Sequence, residues 1–290
     1  MVLDDKLCSF IISQTTNLLI DHGSSLSQHS SQDLSILHMA AESGNVECCE
    51  LLLAHNLDFN TQTLEGITPL ISAIHHRNNS VITYFISKGC ILDQQPNSTL
   101  LALNEAIKND IDIDIIEKLL ASGASPDISD KYCTLPLWHA VEKENLSVVK
   151  LLMQCNSQLA VESSCAQCSP CTPLVHAIHK ENFTLVHWLI SAFGDTAVKS
   201  IRKIINSVNT APNLHIYINS LGEPISSNFL SSLATVISAP QSLLCQSRRA
   251  VRQELGCGYV VNQKIASLKL PSLLHNYMLY SDLESLDYSS

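Results

Sequence analysis

The chain has 290 residues, 46% of them hydrophobic and 15% charged, a balance that supports a packed core and excludes a wholly disordered chain. Its formal net charge of −10 is unevenly spread: residues 1–195 hold 9 Lys/Arg against 22 Asp/Glu, and residues 196–290 hold 8 against 5. So acidic a first part repels phosphate, which argues against nucleic acid as a partner, and no run reaches the ~18 apolar residues of a spanning helix, so no membrane is expected either.

Leu18-Leu19-Ile20-Asp21-His22-Gly23 has the form of a second helix closing on glycine, with residues 3–13 as a degenerate first helix. After it one pattern recurs. Its boxes are Ser35-Ile36-Leu37-His38-Met39-Ala40-Ala41, Thr68-Pro69-Leu70-Ile71-Ser72-Ala73-Ile74, Leu101-Ala102-Leu103-Asn104-Glu105-Ala106-Ile107, Leu135-Pro136-Leu137-Trp138-His139-Ala140-Val141 and Thr172-Pro173-Leu174-Val175-His176-Ala177-Ile178. Successive starts lie 33, 33, 34 and 37 residues apart. A second apolar element follows at a fixed offset and closes on Asn56, Gly89, Gly123 or Asn156, as a helix end entering left-handed backbone requires. Thr68 and Thr172 stand ready to cap a helix whose first position Pro69 or Pro173 fills. The alanines at 40, 41, 73, 106, 140 and 177 let paired helices approach closely.

Beyond residue 195 the pattern loosens. Ala197–Val208 is periodic and predicted helical; Ala211-Pro212-Asn213 and Gly222-Glu223-Pro224 mark turns; Phe229–Ile237 predicts a short helix ending before Pro240. This span, 196–239, is read as a helical connector or a degenerate seventh unit. Next comes an amphipathic helix with Leu243, Ser247, Val251 and Leu255 on one stripe, then Leu268-Lys269-Leu270-Pro271 and a tail from Leu274 to Tyr280. Residues 281–290 are acidic and Ser-rich.

The recurring boxes resemble ankyrin repeats, and the order of segments resembles the ankyrin-repeat and SOCS-box family, the substrate receptors of elongin–cullin ubiquitin ligases. The resemblance implies an all-α fold: an ankyrin solenoid of about six units over 1–195, with an optional degenerate seventh, and a small helical SOCS box over 240–280. Ser242, Leu243, Ser247, Val251 and Leu255 match the family's elongin-binding helix, with Ser247 where Cys is usual. The exchange keeps the volume small but forfeits apolar burial worth about one methylene, ~0.8 kcal/mol. Leu268, Lys269, Leu270 and Pro271 match the cullin-selecting motif, with Lys269 where the family has proline; a flexible residue replaces one that pre-orders an extended segment. The partners implied are elongin C and elongin B, cullin-5 with its RING subunit, and a protein client. The acidic array suits a neutral or basic client. By where ankyrin proteins bind, client contacts are expected at Glu65, His75, His76, Arg77, Lys143, Glu144, His179 and Lys180. The competing reading is an ankyrin scaffold or inhibitor whose C-terminal helices only cap the solenoid.

Other constellations yield less chemistry. Cys165, Cys168 and Cys171 have Cys-x-x-Cys-x-x-Cys spacing, but zinc needs four ligands, usually as two separated pairs, so a lengthened loop carrying free thiols is the preferred reading over a metal site. Asp110, Asp112 and Asp114 suggest a calcium loop until Ile115 and Ala121 occupy the places of its glycine and closing Glu; a helix N-terminus is expected instead. No nucleophile elbow, His-Glu-x-x-His or phosphate loop is present, and no catalysis or cofactor is expected. An acidic N-terminus unlike a secretory signal, and 11 cysteines read as buried small hydrophobes, Cys48, Cys49 and Cys133 among them, point to the cytoplasm with access to the nucleus.

Overall fold

The boxes that begin at Ser35, Thr68, Leu101 and Leu135 become seven-residue helices because the first residue is extended and the second begins the helical run. The structure, a computed structural model, describes residues 35–93, 100–130, 134–155, 173–193, 197, 248, 250–252, 254–255, 260–268 and 270–280. Thr68 is extended, accepts a hydrogen bond from Ile71 N and places Pro69 at the first helical position. Ser35 is joined to His38 in a reciprocal capping box. Among the described residues all regular structure is helical, and no helix is long and apolar enough to cross a membrane.

Two compact units divide the chain, residues 1–125 and 126–290. In the first, three antiparallel pairs are described: α1 (Ile36–Glu42) with α2 (Val46–Ala54), α3 (Pro69–His75) with α4 (Asn79–Ser87), and α5 (Ala102–Lys108) with α6 (Ile113–Ala121). First helices pack on first helices, α1 on α3 on α5, and second on second, α2 on α4 on α6. Leu37, Ala73, Ile74, Phe85, Ala106 and Leu119 fill the space between the two rows and lose nearly all contact with water.

The second unit holds α7 (Pro136–Glu142) with α8 (Leu146–Gln154), and α9 (Pro173–His179) with α10 (Phe183–Phe193). Its core includes Leu137, Ala140, Val149, Leu152, Ala177, Leu185 and Leu189. Residues 248, 250–252 and 254–255 are also helical, followed by α11 (Val260–Ser267) and α12 (Ser272–Met278). Here Val261, Ile265 and Met278 form a small core against which Leu255, Leu270 and Leu279 pack.

The turn inside every pair has one geometry. Gly44, Arg77, Asp110, Glu144 and Glu181 all have φ between 49° and 75°. The amides that follow, at Asn45, Asn78, Ile111, Asn145 and Asn182, reach back to the carbonyls of Ala40, Ala73, Ala106, Ala140 and Ala177. This closing pattern satisfies carbonyls that a helix end leaves over. Asn45, Asn145 and Asn182 then cap the second helix through their side chains. At the far end of that helix Asn56, Gly89 and Gly123 adopt the expected left-handed backbone. Asp112 is the N-cap residue of α6 and Asp114 lies in its first turn, as read from the acidic run.

Candidate protein-interaction surfaces

Successive ankyrin pairs of the first unit are joined by side chains that span about one repeat. His38 Nδ1 lies 2.8 Å from Ser35 Oγ, and its Nε2 lies 3.0 Å from the carbonyl of Ile67 in the next repeat. Asn78 Nδ2 donates to the carbonyls of Ala41 and Glu42, 2.8 Å each. These contacts are structural, and the polar residues left over form the outward surface.

On that surface His75 and Glu105 come together across two repeats: His75 Nε2 lies 3.1 Å from Glu105 Oε2, and Lys108 Nζ donates to Glu105 Oε1 at 3.0 Å. Burial would raise the Glu105 pKa, but the hydrogen bonds from His75 and Lys108 outweigh it and hold the carboxyl below its usual range. His75 is thus partly committed inside the array. His76 is exposed, with Nδ1 2.9 Å from Ser72 O, and Arg77 is exposed on its left-handed turn. Glu65 sits beside Leu64 at the tip of the loop between α2 and α3, where Gly66 takes φ 79° and Leu64 is 89% exposed.

In the second unit Lys143 and Glu144 occupy the exposed turn after α7. Lys180 Nζ donates to the Glu142 carbonyl at 2.9 Å and lies 3.4 Å from Glu144 Oε1. His179 ends α9, and its side chain lies outside the described residues. Sequence reasoning missed Glu105 and Lys108, although an acid inside an apolar box was a visible signal. It also missed the buried pair in which His139 Nε2 lies 3.1 Å from Asp130 Oδ2, with the half-buried Thr134 Oγ1 2.9 Å from the same nitrogen. A cleft of about 620 Å³ on the second-helix side of the first unit, lined by Glu50, Leu53, Leu57, Phe59, Tyr84 and Lys88 among others, carried no motif at all.

At the C-terminal end Val251 is helical and 43% exposed, whereas Leu255 is half-buried against the small core of its own segment. Ser242, Leu243, Ser247 and Lys269 lie outside the described residues; Leu268 and Pro271 are exposed and Leu270 is half-buried. Arg248 and Arg252 are buried, with guanidinium carbons 4.6 and 5.1 Å from the centre of the Tyr280 ring. Burial pulls the Arg252 pKa down; Tyr280 and Cys155 oppose that shift and Arg248 adds to it.

No group of three or more His, Cys, Asp or Glu suited to a metal is found among the described residues, and Cys165, Cys168, Cys171 and Cys133 lie outside them. Cys48, Cys49, Cys90 and Cys155 are buried cysteines in no disulfide. Burial, first among the causes, pushes Cys49 up to about 12 and Cys90 up to about 11, which leaves both protonated and poor nucleophiles.

Comparison with known proteins decides the family. A family model for ankyrin repeats (3 copies) matches residues 10–100 and 102–200, and one for the SOCS box matches residues 239–279. The chain belongs to the ankyrin-repeat and SOCS-box family. The crystal structure of the human ASB11 ankyrin repeat domain aligns with a TM-score of 0.56 at 19% identity, covering 82% of this chain and 98% of that one, which is a likeness of fold. Among curated relatives, a putative ankyrin repeat protein, FPV244, of fowlpox virus is 35% identical over 118 residues, 40% of this chain and 17% of that protein. The transient receptor potential cation channel subfamily A member 1 homolog of Caenorhabditis elegans is 31% identical over 96 residues, 33% of this chain and 8% of that protein. The chain thus spans less than a fifth of the length of these relatives. Ankyrin repeats and SOCS boxes are adaptor modules rather than catalytic ones.

Proposed function

We propose that this ankyrin-repeat and SOCS-box chain is the client-recognition subunit of an elongin B/C–cullin ubiquitin ligase. Residues 1–195 bind a protein client, 196–239 connect, and 240–280 dock on elongin C. The observation that carries the reading is the order of the two family matches, ankyrin repeats and then a SOCS box. In this reading Leu243 enters an apolar pocket on elongin C with Ser247 beside it, and the exposed Val251 extends the same stripe. Leu255 divides its surface between that stripe and the core of the box. Leu268, Lys269, Leu270 and Pro271 face cullin-5 and its RING subunit, and Lys269 in place of proline weakens that contact relative to elongin binding. Glu65, His76, Arg77, Lys143 and Glu144 belong to the client surface, with His75, His179 and Lys180 at its edges. The protein works in the cytoplasm and contributes proximity and orientation of client lysines rather than chemistry.

Co-expression with elongin B and C tests this. Wild type should elute as a stable ternary complex, and Leu243→Asp, which forces a charge into an apolar pocket, should elute alone with its helical content intact. A wild-type chain that stays soluble and alone would favour the scaffold reading, in which the C-terminal helices only cap the array.

A further inference from the structure

Residues 248–280 and the α7–α8 ankyrin pair fall within one compact unit, 126–290, and buried charge carries the contact between them. Arg252 is 1% exposed, so its guanidinium must recover from the protein the hydrogen bonds it gave up to water. It does so at two backbone carbonyls distant in sequence. One is Met278 O, at the end of α12, 2.7 Å away. The other is Gln154 O, on the last residue of α8. That carbonyl is among the four that a helix leaves over at its C-terminal end, where the helix dipole is negative, so α8 offers what a cation needs.

Gln154 also reciprocates, its Nε2 donating to Leu279 O at 2.6 Å. Tyr280, 3% exposed and with φ 60°, presents its ring to both Arg252 and Arg248. The residue just before Arg252, Val251, is exposed. One short helical stretch therefore has an outward side chain next to an inward one that grips an ankyrin helix.

We infer that Arg252 is a positioning residue that fixes the elongin-facing helix of the SOCS box on the C-terminal end of ankyrin helix α8, so that the box and the α7–α8 pair form one rigid body rather than two modules on a tether. The adaptor reading enters only in what Val251 faces; the coupling is a property of the free chain. Within that reading, a fixed angle between repeat and box confines where client lysines fall relative to the ubiquitin-charged enzyme.

The test uses the full chain with non-cysteine spin labels at exposed Ser147 of α8 and exposed Gln263 of α11, read by pulsed dipolar spectroscopy. Wild type should give one narrow distance distribution. Arg252→Met should broaden it about twofold, with Arg252→Lys in between, because an ammonium lacks the planar fork that spans two carbonyls. Amide exchange at 152–155 and at 278–280 should accelerate together, by about tenfold. Where the box is folded, the Kd for elongin C should stay within about threefold of wild type, a split that a merely destabilising change would not give. A distribution as narrow in Arg252→Met as in wild type, or faster exchange at 278–280 with 152–155 unaltered, would overturn the inference. If Arg252→Met does not fold, Tyr280→Leu and Gln154→Ala each remove one element of the grip and keep the charge; no broadening in either would overturn it equally. Failure of wild type to bind elongin C would remove the adaptor reading and leave the distance measurement standing.

Discussion

The ankyrin pairs and the C-terminal box hold themselves together in different ways. In the pairs the buried residues are overwhelmingly small or aliphatic, and buried polar side chains such as His38 and partly buried ones such as Asn78 reach only as far as the adjacent repeat. Among the described residues of the box, Val261, Ile265 and Met278 make the core, and much of the remaining burial belongs to Arg248 and Arg252. Arg252 finds acceptors 26 and 98 residues away. A repeat is specified locally and then copied, whereas the box is specified by partners that only the folded chain brings near. The one resists damage by redundancy of neighbours, and the other depends on a few directional contacts.

Core truncation should separate the two most widely. Leu137 on α7 is fully buried, and Leu137→Ala removes its methyls from the core; the expected loss is about 3 kcal/mol. Ile265→Ala, an equal truncation in the small core of the box, should cost only about 2 kcal/mol. Urea melts followed by residue-resolved exchange would read both. Equal losses would mean that the apolar core, not the arginine contacts, dominates the box.

Acid sharpens the contrast from the side of the array. The Glu105 carboxyl is held below its ordinary value of 4.5, because the hydrogen bonds from His75 and Lys108 outweigh its burial. A depressed carboxylate contributes stability that is present above its unfolded value and is lost as pH falls through the folded one. Glu105→Gln should therefore lower stability by about 1 kcal/mol near neutrality and flatten part of the loss that sets in as pH falls below 4.5. Urea midpoints at several pH values check the sign. An unchanged acid limb would show that the His75–Glu105–Lys108 cluster carries no linkage in solution.

The repeat was largely readable because its rules are local. Thr68 before Pro69 declares a helix start, Asn56, Gly89 and Gly123 declare helix ends, and spacings near 33 residues register one pair on the next. Asp112 at its N-cap follows from the same local logic. Burial of Arg248 and Arg252 was illegible, since nothing in Ser247-Arg248-Arg249-Ala250-Val251-Arg252 says that the 248 and 252 guanidiniums turn inward while Val251 turns out. The stripe Leu243–Ser247–Val251–Leu255 presented one face to one partner, yet Leu255 is shared with an internal core. His75 was read as a free surface residue because its neighbour Glu105 lies 30 residues away and one repeat further on.

The smallest effect tests the most local rule. Gly44 and Arg77 occupy the same turn in successive repeats, with φ 75° and 56°. At Gly44 an added Cβ would meet Asn78 Oδ1 at 2.9 Å, and that amide is held by its bonds to Ala41 O and Glu42 O, so it cannot swing aside without losing them. Gly44→Ala should therefore cost about 1 kcal/mol, strain and displaced amide together. At Arg77 the side chain is exposed and the backbone alone is disfavoured, so Arg77→Gly relieves the left-handed strain while adding freedom to the unfolded chain. The balance should leave the array more stable by about 0.5 kcal/mol. Thermal melts of the two variants should shift in opposite directions. If Arg77→Gly lowers the midpoint instead, the Arg77 side chain contributes more to the fold than its exposure implies, and its place on the client surface must be reassigned to the array itself.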